Sequence, residues 1–257
     1  MNRKEFYEKH NNFSGRTFSE YYLSPGIKCK YNIILDKVKN IHNFESAIDL
    51  GCSGNSFLKL YENVRYKLFF DIANIPLTQY SKRENNNEFW HPLCGDMIKL
   101  PYRDNSIDIV FALDTLEHLK DDELAISEIS RILKQKGIAI ISIPHRMKYY
   151  STQDKMIGHF RRYEINKISD LFKKYRLKCL TYFGIYGQLM RFTFLQKLKP
   201  KKTEKNLKKL RFRYSSNRLF RIFWNIIVYF GSKIMKLDAK YQPMKKKMNI
   251  GFIFMKI

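Results

Sequence analysis

The segment from Ala47 to Phe57, AIDLGCSGNSF, restricts the backbone more than any other stretch of the chain. Apolar residues lead into an acid, which reads as the end of a strand. Gly51, Cys52, Ser53, Gly54 and Asn55 then form a turn of small and turn-prone residues that brings main chain close to something else. A second acid, Asp71, closes the run YKLFFD 22 positions after Asp49.

Around this turn the pattern alternates between two periods. Strand-like runs occur at SAIDL, YKLFFDI, SIDIVFAL, GIAIISI, LKCLTYF and NIGFIFMKI. Helical periodicity falls in KCKYNIILDKVKNI, with Tyr31, Ile33, Ile34, Leu35 and Val38, and in DDELAISEISRILKQ, where Leu124, Ile126, Ile129, Ile132 and Leu133 make one apolar face. Asp121 or Asp122 is the expected cap of that second helix, and Gly137 its expected stop. A third helix is expected from Glu164 to Tyr175, with Ile168, Leu171 and Phe172 inward. Strands alternating with helices imply a parallel sheet covered on both faces. The 257 residues, 44% of them hydrophobic, suffice for one sizeable core with an extension.

Charge is the compositional oddity: 48 Lys and Arg stand against 24 Asp and Glu. After residue 190 the imbalance is extreme, with 19 basic residues and only Glu204 and Asp238 as acids. So much charge on one segment points to an anionic partner, whether nucleic acid, anionic lipid or a phosphorylated substrate. The four cysteines, Cys29, Cys52, Cys94 and Cys179, have no paired spacing, which argues against a zinc site or a disulfide framework and for a reducing, cytoplasmic setting. The first residues lack the apolar core of a signal peptide, and no run approaches the roughly 20 apolar residues of a spanning helix.

The succession AIDLGCSGNSF, FFDIA, CGDMIKLPYRDNSIDIVFALDTLEHL and RILKQKGIAIISIPH, covering about residues 44–145, resembles class I S-adenosylmethionine-dependent methyltransferases. The resemblance implies a Rossmann-like, doubly wound α/β fold with a seven-stranded, mainly parallel sheet and an antiparallel last strand, NIGFIFMKI, reached after a basic helical insertion. The expected organisation is an N-terminal helical cap (1–45), a cofactor-binding core (46–188), the insertion (189–248) and the final strand (249–257). It also implies S-adenosylmethionine as cofactor. Asp49, Gly51, Cys52 and Ser53 would line its pocket, Asp71 and Ile72 would meet the ribose, Asp96 and Met97 the adenine, and Leu113 and Asp114 the cofactor's edge. An acid about 20 residues beyond a Gly-rich turn serves the ribose in dinucleotide folds too. The sequence departs from the family where Ser53 and Asn55 replace the usual glycines, although Ser is small and Asn tolerates positive φ.

Methyl transfer from a sulfonium is an in-line displacement that needs positioning and, for an oxygen acceptor, loss of a proton; no metal is required. The candidate bases are His145, in IPHR at the end of the fifth strand, His159, in GHFRRY, and His118, in LEHL, whose other reading is structural packing at a helix start. In GHFRRY, His159, Arg161, Arg162 and Tyr163 are candidate substrate contacts, or else the arginines anchor their loop to nearby acids. In NRLFRIFWNIIVYFGSKIMK, Arg218, Arg221, Asn225, Ser232 and Lys236 make a narrow polar stripe on an otherwise apolar helix. So wide an apolar face must be covered, either as a lid or dimer contact or by lying in an anionic membrane surface through Leu219 to Phe230. KLKPKKTEKNLKKLRFR before it and MKKKM after it would supply flanking lysines. The expectation is a cytoplasmic methyltransferase, peripheral at the inner face of a membrane, acting at oxygen on a small-molecule, glycan or lipid-linked acceptor. An RNA-modifying enzyme and a non-catalytic binding protein remain as alternatives, the former disfavoured because no RNA-methyltransferase catalytic motif or appended RNA-binding module is found.

Overall fold

Ile, Val, Phe and Ala crowd the central strands, whose side chains are buried to both sides. The computed structural model describes residues 3–9, 15–41, 44–80, 84–85, 88–190 and 200–257. Its strands are β1 (Ser46–Leu50), β2 (Tyr66–Asp71), β3 (Glu84–Asn85), β4 (Glu88–Cys94), β5 (Ile107–Leu113), β6 (Leu133–Pro144), β7 (Leu177–Tyr186) and β8 (Asn249–Lys256). They form one sheet in the order β3-β4-β2-β1-β5-β6-β8-β7. The five strands from β4 to β6 are parallel, and β8 enters antiparallel between β6 and β7. Seven strands of five residues or more therefore match the expected architecture, with the two-residue β3 added at one edge.

The helices are α1 (Arg3–Lys9), α2 (Glu20–Leu23), α3 (Pro25–Val38), α4 (Asn74–Leu77), α5 (Asp122–Ile132), α6 (Thr152–Met156), α7 (Ile165–Lys174), α8 (Pro200–Ser216) and α9 (Arg218–Tyr241). Alternate strand residues divide the core in two. Ala47, Phe69, Ile109, Phe111 and Ile140 face α3, where Ile33, Ile34 and Val38 meet them. Ile48, Phe70, Val110, Ala139 and Ile141 face α5 and α7 through Ile126, Ile129, Ile168 and Phe172.

Four local expectations are corrected. Asp121 is the cap of α5, its carboxylate accepting from Leu124 N at 3.2 Å, but Leu124 itself is 48% exposed and Ala125 takes the inward place. The helix ends at Ile132, before Gly137, which lies within β6. Lys256 Nζ takes up the carbonyls of Ser130 (2.6 Å) and Leu133 (2.8 Å) at that helix end. Gly137 instead serves a bulge: a side chain there would lie 2.8 Å from Lys134 O, opposite the register shift between Ile107 and Ile109. Finally, β4 was not expected, because EFWHPLC mixes charge, His and Pro and buries no side chain fully.

The fourth correction concerns α9, which packs on α3 and β7. Of the polar stripe, Ser232 is buried, Asn225 accepts from Tyr214 Oη at 2.8 Å and Lys236 pairs with Asp36, while Trp224 donates its indole N–H to Leu23 O at 3.2 Å. Part of the polar side therefore faces the protein. Leu219, Phe223, Ile226, Phe230, Ile234, Leu237 and Tyr241, spaced three and four apart, are each more than half exposed. The apolar face that was expected to be covered is open among the described residues. Of the basic run before it, residues 197–199 lie outside the described residues.

Phe172 is fully buried and stacks on Phe254 with ring centroids 4.0 Å apart. Phe172→Ala is expected to cost about 3–5 kcal/mol in urea unfolding, whereas Leu124→Ala, on the same side of the sheet but exposed, should stay within about 1 kcal/mol.

Candidate functional site

At the carboxyl ends of β1, β2 and β5 the connections diverge to opposite sides, which is where open α/β sheets leave a crevice. Here it is a cavity of about 360 Å³. Asp49, Gly51, Cys52, Ser53, Asp71, Ile72, Asp96, Met97, Leu113 and Asp114, the ten residues expected around a cofactor, all line it.

The turn after β1 is held from several directions. Gly51 N donates to Phe70 O at 2.8 Å, and with φ +75° and Thr115 only 2.5 Å from where a Cβ would stand, position 51 admits only glycine. Ser53 adopts φ +46°, so the strain of the missing glycine falls there and not at Asn55. Asn55 is fixed otherwise: its carbonyl accepts from Tyr31 Oη at 2.5 Å. Asp71 accepts from Ser53 N and Ala73 N, both at 2.8 Å, which seats the turn against the end of β2. Asp49 accepts from Ser56 Oγ at 2.5 Å and Phe57 N at 3.1 Å; burial pushes its carboxyl up to about 6.

Other walls come from residues that the sequence pattern did not single out. Arg3 on α1 pairs with Asp96, and Tyr7 reaches the same cavity. Lys30 on α3 donates to Asp114 Oδ2 at 2.8 Å, while Ser142 Oγ (2.8 Å) and Asn249 Nδ2 (2.7 Å) donate to Asp114 Oδ1. Burial alone would raise the Asp114 carboxyl, but Lys30 and these hydrogen bonds bring it down to about 2.

The candidate bases and substrate contacts separate. His118 and His159 line the cavity with ring centroids 4.5 Å apart; burial, with His159 and Arg16 beside it, pushes His118 down to about 3. His145 does not line the cavity. It is buried beneath the following loop, its Nδ1 3.1 Å from Lys247 O and its N–H bonded to Met248 O, and burial lowers its pKa. Arg162 lines the cavity, but its guanidinium is forked onto Asp154 (3.1 and 3.0 Å). Arg161 bonds Asp122 and Lys120 O, and Tyr163 Oη donates to Asp122 Oδ2 at 2.7 Å, so these two residues anchor the loop outside the cavity.

Two acids in this wall were missed. Asp154 closes a capping box with Ser151 and accepts from His159 Nδ1 at 2.8 Å; the signal for it was Ser-x-x-Asp in STQD. Glu117 is fully buried, and burial followed by the nearby Asp114 raises its carboxyl well above the ordinary range. Its only sequence mark is an acid set between leucine and histidine in LEHL.

Residues 48–141 match the family model described as a methyltransferase domain. A probable S-adenosylmethionine-dependent methyltransferase of Mycolicibacterium smegmatis is 32% identical over 72 residues, 28% of this chain and 28% of that protein. Malonyl-[acyl-carrier protein] O-methyltransferase of Buchnera aphidicola is 30% identical over 139 residues, 53% of this chain and 49% of that one. The chain thus spans half or less of the length of these curated relatives. Among solved structures, Haemonchus contortus phosphoethanolamine N-methyltransferase 2 in complex with S-adenosyl-L-methionine superposes with a TM-score of 0.64 at 16% identity, over 100% of this chain and 60% of that one, a likeness of fold.

The Asp114 cluster sets a pH dependence. With a folded pKa below that of an ordinary aspartate, Asp114 stabilises the fold fully above about pH 4, and this contribution is lost as the pH falls toward about 2. Lys30→Met should therefore lower stability at neutral pH by about 2 kcal/mol and flatten the melting temperature between those limits, read by calorimetry across the acid range.

Proposed function

We propose that this chain, which belongs through residues 48–141 to the class I S-adenosylmethionine-dependent methyltransferases, binds that cofactor in the cavity above β1, β2 and β5 and transfers its methyl group to an acceptor seated against His118 and His159. The observation that carries the reading is the convergence of all ten expected cofactor residues on one cavity. Asp71 is assigned to the ribose hydroxyls: its two oxygens each take one backbone donor and keep lone pairs for more. Asp96 and Met97 are assigned to the adenine, and the turn from Gly51 to Ser53 to the methionine part. Orientation is the main catalytic contribution, because the sulfonium is already activated.

The acceptor is assigned as a small or lipid-linked molecule reacting at oxygen. Arg162 is engaged by Asp154, so the acceptor wall is not an open anion clamp. His118, kept neutral, and His159, oriented by Asp154, form the wall against which the acceptor hydroxyl is assigned to sit. His145 is assigned a structural part, bracing the loop after β6.

We place the reaction at an anionic membrane surface. No helix among the described residues is long and apolar enough to cross a membrane. The outward stripe of α9, from Leu219 to Tyr241, is instead a surface for lying in the headgroup region, and Arg218, Lys233, Lys240, Lys245 and Lys246 are exposed around it. The acid of this helix, Asp238, is turned inward and accepts from Leu189 N at 2.9 Å, which leaves the outer charge all positive. The helix α3 beneath it carries Lys30 into the cavity, so the membrane face and the acceptor site share one support.

Two experiments bear on this. Asp71→Asn should weaken S-adenosylhomocysteine binding by about 1–3 kcal/mol in calorimetry, measured well below the melting transition because the same carboxylate also holds the turn after β1; a wild type that does not bind it would remove the methyltransferase reading. Wild-type protein should co-sediment with phosphatidylglycerol-containing vesicles and retain a salt-resistant fraction, and replacing the exposed Phe223 and Phe230 together by Ser should abolish it. Binding to RNA in place of vesicles, falling log-linearly with salt, or a dimer that dissociates in the double variant, would count against the membrane assignment.

A further inference from the structure

Glu117 stands at the inner wall of the cavity with neither carboxylate oxygen holding a hydrogen-bond donor among the described residues, although the side chain is completely buried. An uncompensated carboxylate in such a place is costly unless it takes up a proton or a cation meets it. The side chains around it are suited to holding one. His159 faces it, its Nε2 3.7 Å from Glu117 Oε1. The other nitrogen of that ring, Nδ1, is fixed on Asp154 Oδ1 at 2.8 Å, and Asp154 is in turn pinned by Arg162 and Ser151. A histidine whose far nitrogen is held by a carboxylate presents the near one as an oriented, basic ligand. His118 follows Glu117 directly, with its ring edge-on to that of His159. One donor atom each from Glu117, His118 and His159 lies within 4.8 Å of the others. Around a cation with bonds of about 2.1 Å, ligand atoms stand about 3–4.2 Å apart, so small side-chain rotations close the set.

We propose that Glu117, His118 and His159 form a binding site for one divalent first-row cation. Two imidazoles and a carboxylate suit Zn²⁺, Fe²⁺, Mn²⁺ or Co²⁺ better than Mg²⁺ or Ca²⁺, which prefer an all-oxygen shell. Three protein ligands leave coordination positions for a further donor from the cavity. On the methyl-transfer reading that donor is the acceptor's oxygen, which the cation would orient and make easier to deprotonate; the site itself stands without that reading.

The test uses untagged, metal-free full-length protein titrated with Co²⁺, followed through visible ligand-field absorption. The expected result is a spectrum that saturates at one equivalent in the wild type. Glu117→Gln and His159→Asn should each lose it or shift the titration by at least about tenfold, and Asp154→Asn should weaken it by about tenfold to a hundredfold. S-adenosylhomocysteine binding, measured on the same samples, separates this outcome from a failure of the cofactor assignment. No ligand-field band in the wild type, or an unaltered titration in folded Glu117→Gln, overturns the site. If the variants do not fold, X-ray absorption of cobalt-loaded wild type decides: two-imidazole coordination supports the assignment, and a shell without imidazole rejects it.

Discussion

The carboxylate of Asp114 ties together four parts of the chain that are distant in sequence. Lys30 reaches it from α3, Ser142 from the end of β6 and Asn249 from the start of β8, while Asp114 itself directly follows β5 in a left-handed conformation, φ +56°. A partly buried aspartate can stay ionised only with such partners. The requirement fixes where α3 crosses the sheet, how far β8 advances along β6, and how the cavity is closed on the side away from the Gly51 turn.

Much of this could be read from the residues, because the relevant signals were local. Strands buried on both faces leave continuous apolar runs, and β1, β2, β5, β6 and β8 were visible for that reason. The ten residues that line the cavity at the ends of β1, β2 and β5 were legible too, since they sit in short motifs around strand ends. What escaped depended on contacts across the fold. The edge strand β4 has no fully buried side chain and so no apolar pattern to betray it. Gly137 looked like a helix stop but is required by a bulge against β5. The role of Asp154 depends on His159 and Arg162 folding back over it, and that of Glu117 on complete burial, which an acid in a polar stretch does not advertise.

The histidines illustrate the same limit. Position after a strand favoured His145, yet the hydrogen bond to Lys247 and the return of the chain at Met248 roof it over. His118 and His159, 41 positions apart, are brought into ring contact by the loop whose Phe160 N–H donates to Glu117 O at 2.8 Å. The wall opposite the Gly51 turn is therefore a product of one loop docking, and its chemistry is set by burial more than by residue type.

The antiparallel entry of β8 between β6 and β7 bears on how the molecule is made. Pro144 pairs with Asn249, and Gly184 with Ile250, so the sheet has a gap until everything through α9 has been synthesised. Until then β6 and β7 each present an unpaired edge, and the outward apolar stripe of α9 is exposed beside them, a combination that favours wrong pairings in a nascent chain. Contacts of such long sequence separation also form slowly. A chaperone would matter most during this interval, when Asn249 has not yet reached Asp114 and the sheet is still open between β6 and β7.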